Sequence, residues 1–283
     1  MILMIIVVAM YTITSLNDKY AVSKARYNGS QLTFMMAAGT AFFLIFTLPF
    51  SDTKFTLHPV SFICILLIAL SKYLEFALSA KILLDMSLFE LKAWLGLTLF
   101  MSYFADIIMG SESLNAVKLL LIILTAAGLA LIAKDGRKTV NYKNIAFALV
   151  FYLLSRFMYG FVIKAGEGYI SSTMTLFFAL IFLAIVLIPS AKPHLIAKES
   201  PEGVKGMVIV TACKIPNALG LLGENAIAMQ SLTNFAFIQP MILVVIFFTD
   251  LFNKNLSGSK TSLAGSIAVI IGILGFQAAS VLL

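Results

Sequence analysis

Apolar residues along this chain fall in runs that are too long and too unbroken for a soluble fold. Ten runs lie at about 1–20, 30–50, 59–80, 87–109, 114–133, 143–163, 171–190, 205–228, 231–252 and 262–282, with short polar stretches between them. A helix needs about 20 apolar residues, at 1.5 Å each, to cross the hydrocarbon of a bilayer. The runs do not alternate apolar with polar positions, so they predict spanning helices and not the strands of a barrel. The connections are short and leave no room for an extramembrane domain. The first run lacks a basic leader and a small-residue cleavage site, and further runs follow. It is expected to be the first span and not a signal peptide.

The order of landmarks repeats. Lys24-Ala25 and Pro49 recur as Lys164-Ala165 and Pro189, an offset of 140. Ser87-Leu88 and Gly128 recur as Ser231-Leu232 and Gly272, an offset of 144. The four extra residues fit the stretch around 191–204. The pattern predicts two halves, 1–138 and 139–283, of five spans each. An odd number of spans per half sets the second half upside down relative to the first. Inverted repeats of this kind occur in secondary transporters, with the substrate site at the repeat interface near the midplane. The predicted fold class is an all-α integral membrane protein with ten transmembrane helices in two inverted five-helix repeats.

Composition agrees with a membrane solvent. Of 283 residues, 61% are hydrophobic and 12% charged, against about 45–50% and 25% in soluble domains. Mean hydropathy is +1.02. The net charge of +7 lies mostly in loops, where it sets topology and meets lipid headgroups, so no nucleic-acid partner is expected. Cys64 and Cys213 both lie in apolar runs, and His58 and His194 are far apart, so neither a disulfide framework nor a metal site is expected. No Gly-x-x-x-x-Gly-Lys-Ser/Thr loop is present, which argues against direct ATP drive, and no cofactor is expected.

On these features the chain resembles the EamA-like members of the drug/metabolite transporter superfamily, over essentially its whole length. The resemblance rests on ten spans in two halves and on Lys24 and Lys164 at the ends of spans one and six. It rests also on the turn Met109-Gly110-Ser111-Glu112-Ser113-Leu114, which is similar to the family's Gly-Glu-x-Leu turn but carries one more residue before the glutamate. The second half departs from the pattern, because Phe252-Asn253-Lys254-Asn255-Leu256 has no glutamate. The resemblance implies a helical bundle with a central cavity lined by both halves, working by alternating access in a plasma or bacterial inner membrane. It also implies that both termini face the cytoplasm. The basic loops predict the opposite. Lys24, Arg26, Lys134, Arg137, Lys138 and Lys192 all lie after odd-numbered spans, and the positive-inside rule places those loops in the cytoplasm.

Charges inside the runs mark the candidate chemistry, because a charge at the bilayer centre costs at least about 2.5–3.5 kcal/mol and needs a partner or a wet cavity. Lys72 and Glu75 stand three apart on span three and share a helix face, either as a self-neutralising pair or as a cavity lysine with its orienting acid. Lys214 sits beside Pro216 and Asn217 on span eight, where proline is expected to kink the helix. Arg156 on span six supplies a third cation. Glu90 and Lys92, at the start of span four, are expected to snorkel to the interface. Lys72, Lys214 and Arg156 together predict a cavity for a small anionic or zwitterionic solute, with Tyr73 and Trp94 as stacking aromatics or plain packing. Glu75, Asp106 and Glu224 are the candidates for proton coupling, and Asp106 is expected to reach water. In span ten, Ala268 and Gly272 form a small-residue pair for bundle packing or for a dimer seam, so monomer and homodimer both stand.

The expected function is secondary transport of a small polar metabolite, as exporter or exchanger. The alternative is a flippase for a lipid-linked substrate. A membrane enzyme acting on lipid is disfavoured, because no His-rich or Asp-x-Asp cluster is present.

Overall fold

A computed structural model of the chain describes residues 2–86, 88–136, 142–252 and 263–282. Helices dominate and, among the described residues, there is no strand. In chain order they are α1 (Ile2–Ser23), α2 (Gly29–Ile45), α3 (Pro59–Asp85), α4 (Leu88–Leu95), α5 (Thr98–Ile108), α6 (Ala116–Gly136) and α7 (Tyr142–Gly166). There follow α8 (Ser172–Ala191), α9 (Ile196–Glu199), α10 (Gly203–Ala212), α11 (Lys214–Gln230), α12 (Leu232–Phe252) and α13 (Leu263–Leu282). The boundary between the predicted halves, the basic residues Arg137 and Lys138, and the turn after Phe252 lie outside the described residues, as does Ser87 of the repeat pattern.

Among the described residues, six helical stretches are long and apolar enough to cross a bilayer: Ile2–Ser23, Pro59–Asp85, Tyr142–Gly166, Ser172–Ala191, Gly203–Gln230 (α10 and α11 together) and Leu263–Ser280. Four shorter apolar stretches join them, Gly29–Ile45, Thr98–Ile108, Ala116–Leu131 and Leu232–Val245. The chain is therefore a multi-pass membrane protein. Its distribution of side chains is inside out by soluble standards. Phe42, Phe62, Phe147, Ile185 and Leu274 are exposed, while Lys72, Lys214, Glu224 and Asp106 are at most 1% accessible. In water the exposed girdle would be a severe liability, whereas lipid tails solvate it at no cost.

Local chemistry sets the helix starts. Asn28 and Gln31 form a reciprocal capping box at α2. His58 accepts from the Val60 N–H, and Pro59 occupies the first turn of α3. The Ser171 hydroxyl accepts from the Met174 N–H at the head of α8.

Two predicted spans are interrupted. Span four, expected to be continuous over 87–109, breaks at Gly96 and Leu97 between α4 and α5. There the Leu97, Leu99 and Phe100 N–H groups bond three residues back, to Trp94, Gly96 and Leu97, so the turn is tightened around a poor helix former. The bend expected at Pro216 falls one turn earlier, at Cys213. Pro216 has no N–H to offer the Ala212 carbonyl, and α10 ends at Ala212.

The main helix pairs are α3 with α7, α1 with α11, α2 with α8, α6 with α13, and the broken α4–α5 with α12. Small residues bring two of these pairs close. Gly220 and Gly223 of α11 sit against Tyr11 and Val7 of α1. A Cβ on Gly128 of α6 would lie 2.8 Å from Val269 and from the Gly265 carbonyl of α13. A Cβ on Gly272 would meet Thr125 and Leu121 of α6. Gly272 and Gly275 thus face α6 within the chain.

Candidate functional site

Four helices converge on a buried charge network. Lys72 Nζ on α3 donates to Glu75 Oε2 at 2.8 Å, as the spacing of three predicts. Glu75 Oε1 accepts from Arg156 Nη1 of α7 at 2.9 Å. The other guanidinium nitrogen, Nη2, donates to Glu224 of α11, and Glu224 also accepts from the Tyr11 hydroxyl of α1. Lys72 Nζ lies 3.8 Å from the centre of the Tyr159 ring, whose hydroxyl donates to Asn225. Arg156 Nε is buried without a hydrogen-bond partner among the described residues. A lone charge at this depth is costly; here each carboxylate bridges two donors, which offsets the desolvation of both signs.

Two further polar links tie α11 to α1 and to α2. Lys214 Nζ, fully buried, donates to Asp18 Oδ1 of α1 at 3.1 Å, and Asn217 donates to the Thr40 hydroxyl of α2 at 2.8 Å. Lys92 corrects its sequence reading. It does not snorkel to the interface but is 7% accessible and donates to Gln239 Oε1 of α12 at 2.8 Å. No described carboxylate pairs with it.

These groups surround a cavity of about 50 Å³, whose lining includes Tyr11, Ser15, Asp18, Lys72, Glu75, Lys92, Tyr152, Arg156, Asn217 and Gln239. It also reaches Leu83, near the C-terminus of α3, and Leu91. It therefore extends from the Arg156 network toward the end of the bundle where α1 and α3 finish. At that end Tyr20 donates to Glu202, the residue before α10, and Gln31 donates to Glu199 of α9. At the opposite end the segment before α3 is pinned to the segment after α7. The Thr56 N–H bonds the Tyr169 carbonyl, the Ser171 N–H bonds the Lys54 carbonyl, and His58 stacks on Tyr169.

The structure gathers Lys72, Glu75, Arg156 and Asn217 around the cavity, with Glu224 and Lys214 held against its lining residues. It sets three predicted residues apart. Asp106 does not reach water: it is fully buried at the head of α12, where it accepts from the Thr233 N–H at 2.8 Å, the Thr233 hydroxyl at 2.6 Å and the Ser231 hydroxyl at 3.1 Å. Lys164 adds an ion pair at 3.2 Å. Asp106 thus caps a neighbouring helix and lies off the cavity lining. Tyr73 points outward, 41% accessible, into an apolar groove between α3 and α8. Trp94 packs edge-on against Tyr142.

Sequence reasoning missed Tyr11, Asp18, Tyr152, Tyr159 and Gln239. Asp18 carried a signal, a carboxylate within the first apolar run. The tyrosines and Gln239 carry none, because only the fold brings them to the charges. Among the described residues no group of three His, Cys, Asp or Glu side chains is arranged to hold a metal. No protein-family model matches the chain, and no curated protein matches it.

Proposed function

We propose that this chain is a secondary transporter of the EamA-like drug/metabolite type, moving a small polar solute across a cell membrane by alternating access. The observation that carries the reading is the Arg156 network. It ties α3, α7, α1 and α11 together through side chains alone, at membrane depth, beside a polar cavity. Side-chain ion pairs between helices can exchange partners when a proton or a solute arrives, which is what a two-state bundle requires.

The ten-span, inverted-repeat reading draws support from the packing. Exchanging the two predicted halves turns the α3–α7 pair into α11–α1 and returns α2–α8, α6–α13 and α4/α5–α12 to themselves. The glycine seam is reciprocal residue for residue under the 144 offset: Gly128 meets 265 and 269, and Gly272 meets 121 and 125. Gly96, at the break in span four, and Pro240, inside α12, are separated by the same 144 residues. Interrupted helices in transporters line the substrate path.

A cavity of about 50 Å³ has room for a few waters, at about 10–15 Å³ each, and not for a metabolite. The solute therefore enters only when the lining helices part. Purified chain in proteoliposomes is expected to exchange internal for external solute (counterflow) from a panel of small organic acids, amino acids, sugar phosphates and quaternary amines. Absence of counterflow for every class, with correctly inserted protein, overturns the reading.

One observation favours a second reading, a flippase. An apolar groove of about 360 Å³ opens laterally between α3 and α8, lined by Leu66, Tyr73, Phe182 and Val186. Faster transbilayer movement of a fluorescent lipid in the same proteoliposomes would select it.

A further inference from the structure

Lys72, Arg156 and Lys214, the cations first expected to receive an anion, are each committed to a carboxylate. Lys92 is not. Its ammonium is buried, lines the cavity, and is held by the neutral carbonyl of Gln239. The lysine can only donate, so the Gln239 oxygen must face it. The Gln239 amide NH2 is then left as a second donor on a residue that lines the cavity. Lys92 sits one turn before the Gly96–Leu97 break, and Gln239 sits next to Pro240 inside the continuous helix α12. Pro240 also leaves the Ala236 carbonyl without its helical partner, so this part of α12 is freer than a regular helix to adjust around a guest.

We propose that Lys92 and Gln239 form the subsite for a single carboxylate of the transported solute, an inference that rests on the transport reading and names its substrate class. A carboxylate there accepts one charge-assisted bond from Lys92 Nζ and a second from Gln239 Nε2. The stoichiometry of charge selects the class. Among the described residues that line the cavity, one cation without a carboxylate partner matches one negative charge. A phosphate monoester, carrying about −1.5 to −2, exceeds what the site can neutralise, and a quaternary amine meets a like charge. A neutral sugar leaves the lysine without a counterion, at the cost that any buried lone charge incurs. Simple organic acids and zwitterionic amino acids share the carboxylate. The oxygen Asp18 Oδ2, which has no hydrogen-bond partner among the described residues, is on hand in the same cavity for an ammonium.

The test is binding by thermal shift and calorimetry on the purified full chain, with short monocarboxylates, neutral amino acids, glycerol phosphate and tetramethylammonium as probes. At least one carboxylate class is expected to bind, amino acids alone if Asp18 holds an ammonium and both classes if it does not. Lys92→Gln weakens that binding at least tenfold and Lys92→Arg retains most of it. Gln239→Glu, which supplies Lys92 with an internal carboxylate and creates no void, weakens it to the same degree. Binding of phosphate or tetramethylammonium without any carboxylate overturns the proposal. So does carboxylate binding that survives both Lys92→Gln and Gln239→Glu. Lys92-dependent binding without counterflow leaves the subsite standing and removes the transport reading. Counterflow of another solute class does the reverse.

Discussion

Among the described residues two carboxylates have no accessible surface at all, Asp106 and Glu224, and they are held in opposite ways. Asp106 is surrounded by fixed donors, namely the Leu232 and Thr233 N–H groups and two hydroxyls at the head of α12, with Lys164 beside them. Glu224 is held by the ends of two long side chains from other helices, Arg156 and Tyr11. The first arrangement is built into the start of a helix and cannot change without unwinding it. The second can be dismantled by rotating side chains. Burial alone therefore does not mark a functional charge at membrane depth; what marks it is whether its partners are free to leave.

The largest expected effect breaks the movable cluster. Glu224→Ala leaves the Arg156 guanidinium with one carboxylate instead of two and the Tyr11 hydroxyl without its acceptor. Truncating one partner of a buried pair costs about 3–5 kcal/mol, so thermal unfolding in detergent is expected to fall steeply. The double variant Arg156→Met with Glu224→Leu removes both charges and is expected to recover much of that loss while transport stays abolished. A double variant that transports normally would make this cluster no different in kind from the one at Asp106.

Asp106→Ala comes next. It removes the cap of α12 and one partner of Lys164. A lost cap costs about 0.5–2 kcal/mol, and Lys164, at 17% side-chain exposure, keeps access to water. Stability is expected to drop moderately, and flux per folded molecule to hold. Asp106→Asn keeps an acceptor for the Thr233 N–H and is milder still. A collapse of flux in Asp106→Asn with unchanged unfolding would return Asp106 to the transport machinery.

The two carboxylates also differ in how a pH gradient is expected to act. If Glu224 carries a proton when Arg156 releases it, an imposed gradient changes flux several-fold in the parent chain and not in Glu224→Gln. The response of Asp106→Asn matches the parent. Equal gradient sensitivity in all three chains removes proton coupling from Glu224.

How much of this was legible beforehand follows from the reach of each contact. Lys72 and Glu75 lie three apart on one helix, so their pairing could be read from spacing. Arg156 and Glu224 stand 68 residues apart, so both were legible only as isolated residues inside apolar runs, and Tyr11, 213 residues from Glu224, was not legible at all. Lys92 was placed at the interface because it lies near the start of its run. The break at Gly96 and the partner 147 residues away reverse that reading. Asp106, near the end of its run, was expected to reach water. The α12 terminus that covers it is a tertiary contact with no local signal. Hydrophobic mass fixes that helices lie in lipid, but which charges meet depends on rotations about the helix axes that composition does not encode.

The smallest expected effect concerns the face turned to lipid. Tyr73 neighbours Lys72 in sequence, yet one residue of helix rotates it by about 100°, away from the network and into the lateral groove. Tyr73→Phe removes a hydroxyl that makes no hydrogen bond to a described residue and keeps the ring. Stability is expected to move by less than about 0.5 kcal/mol and counterflow not at all, if the solute travels between α3 and α7 on the inner face. A flippase would feel the change, because its substrate's headgroup would pass the Tyr73 hydroxyl in the groove. An altered lipid-translocation rate in Tyr73→Phe, with the Glu224 variants silent, would move the working surface from the charged interior to the outer face of α3.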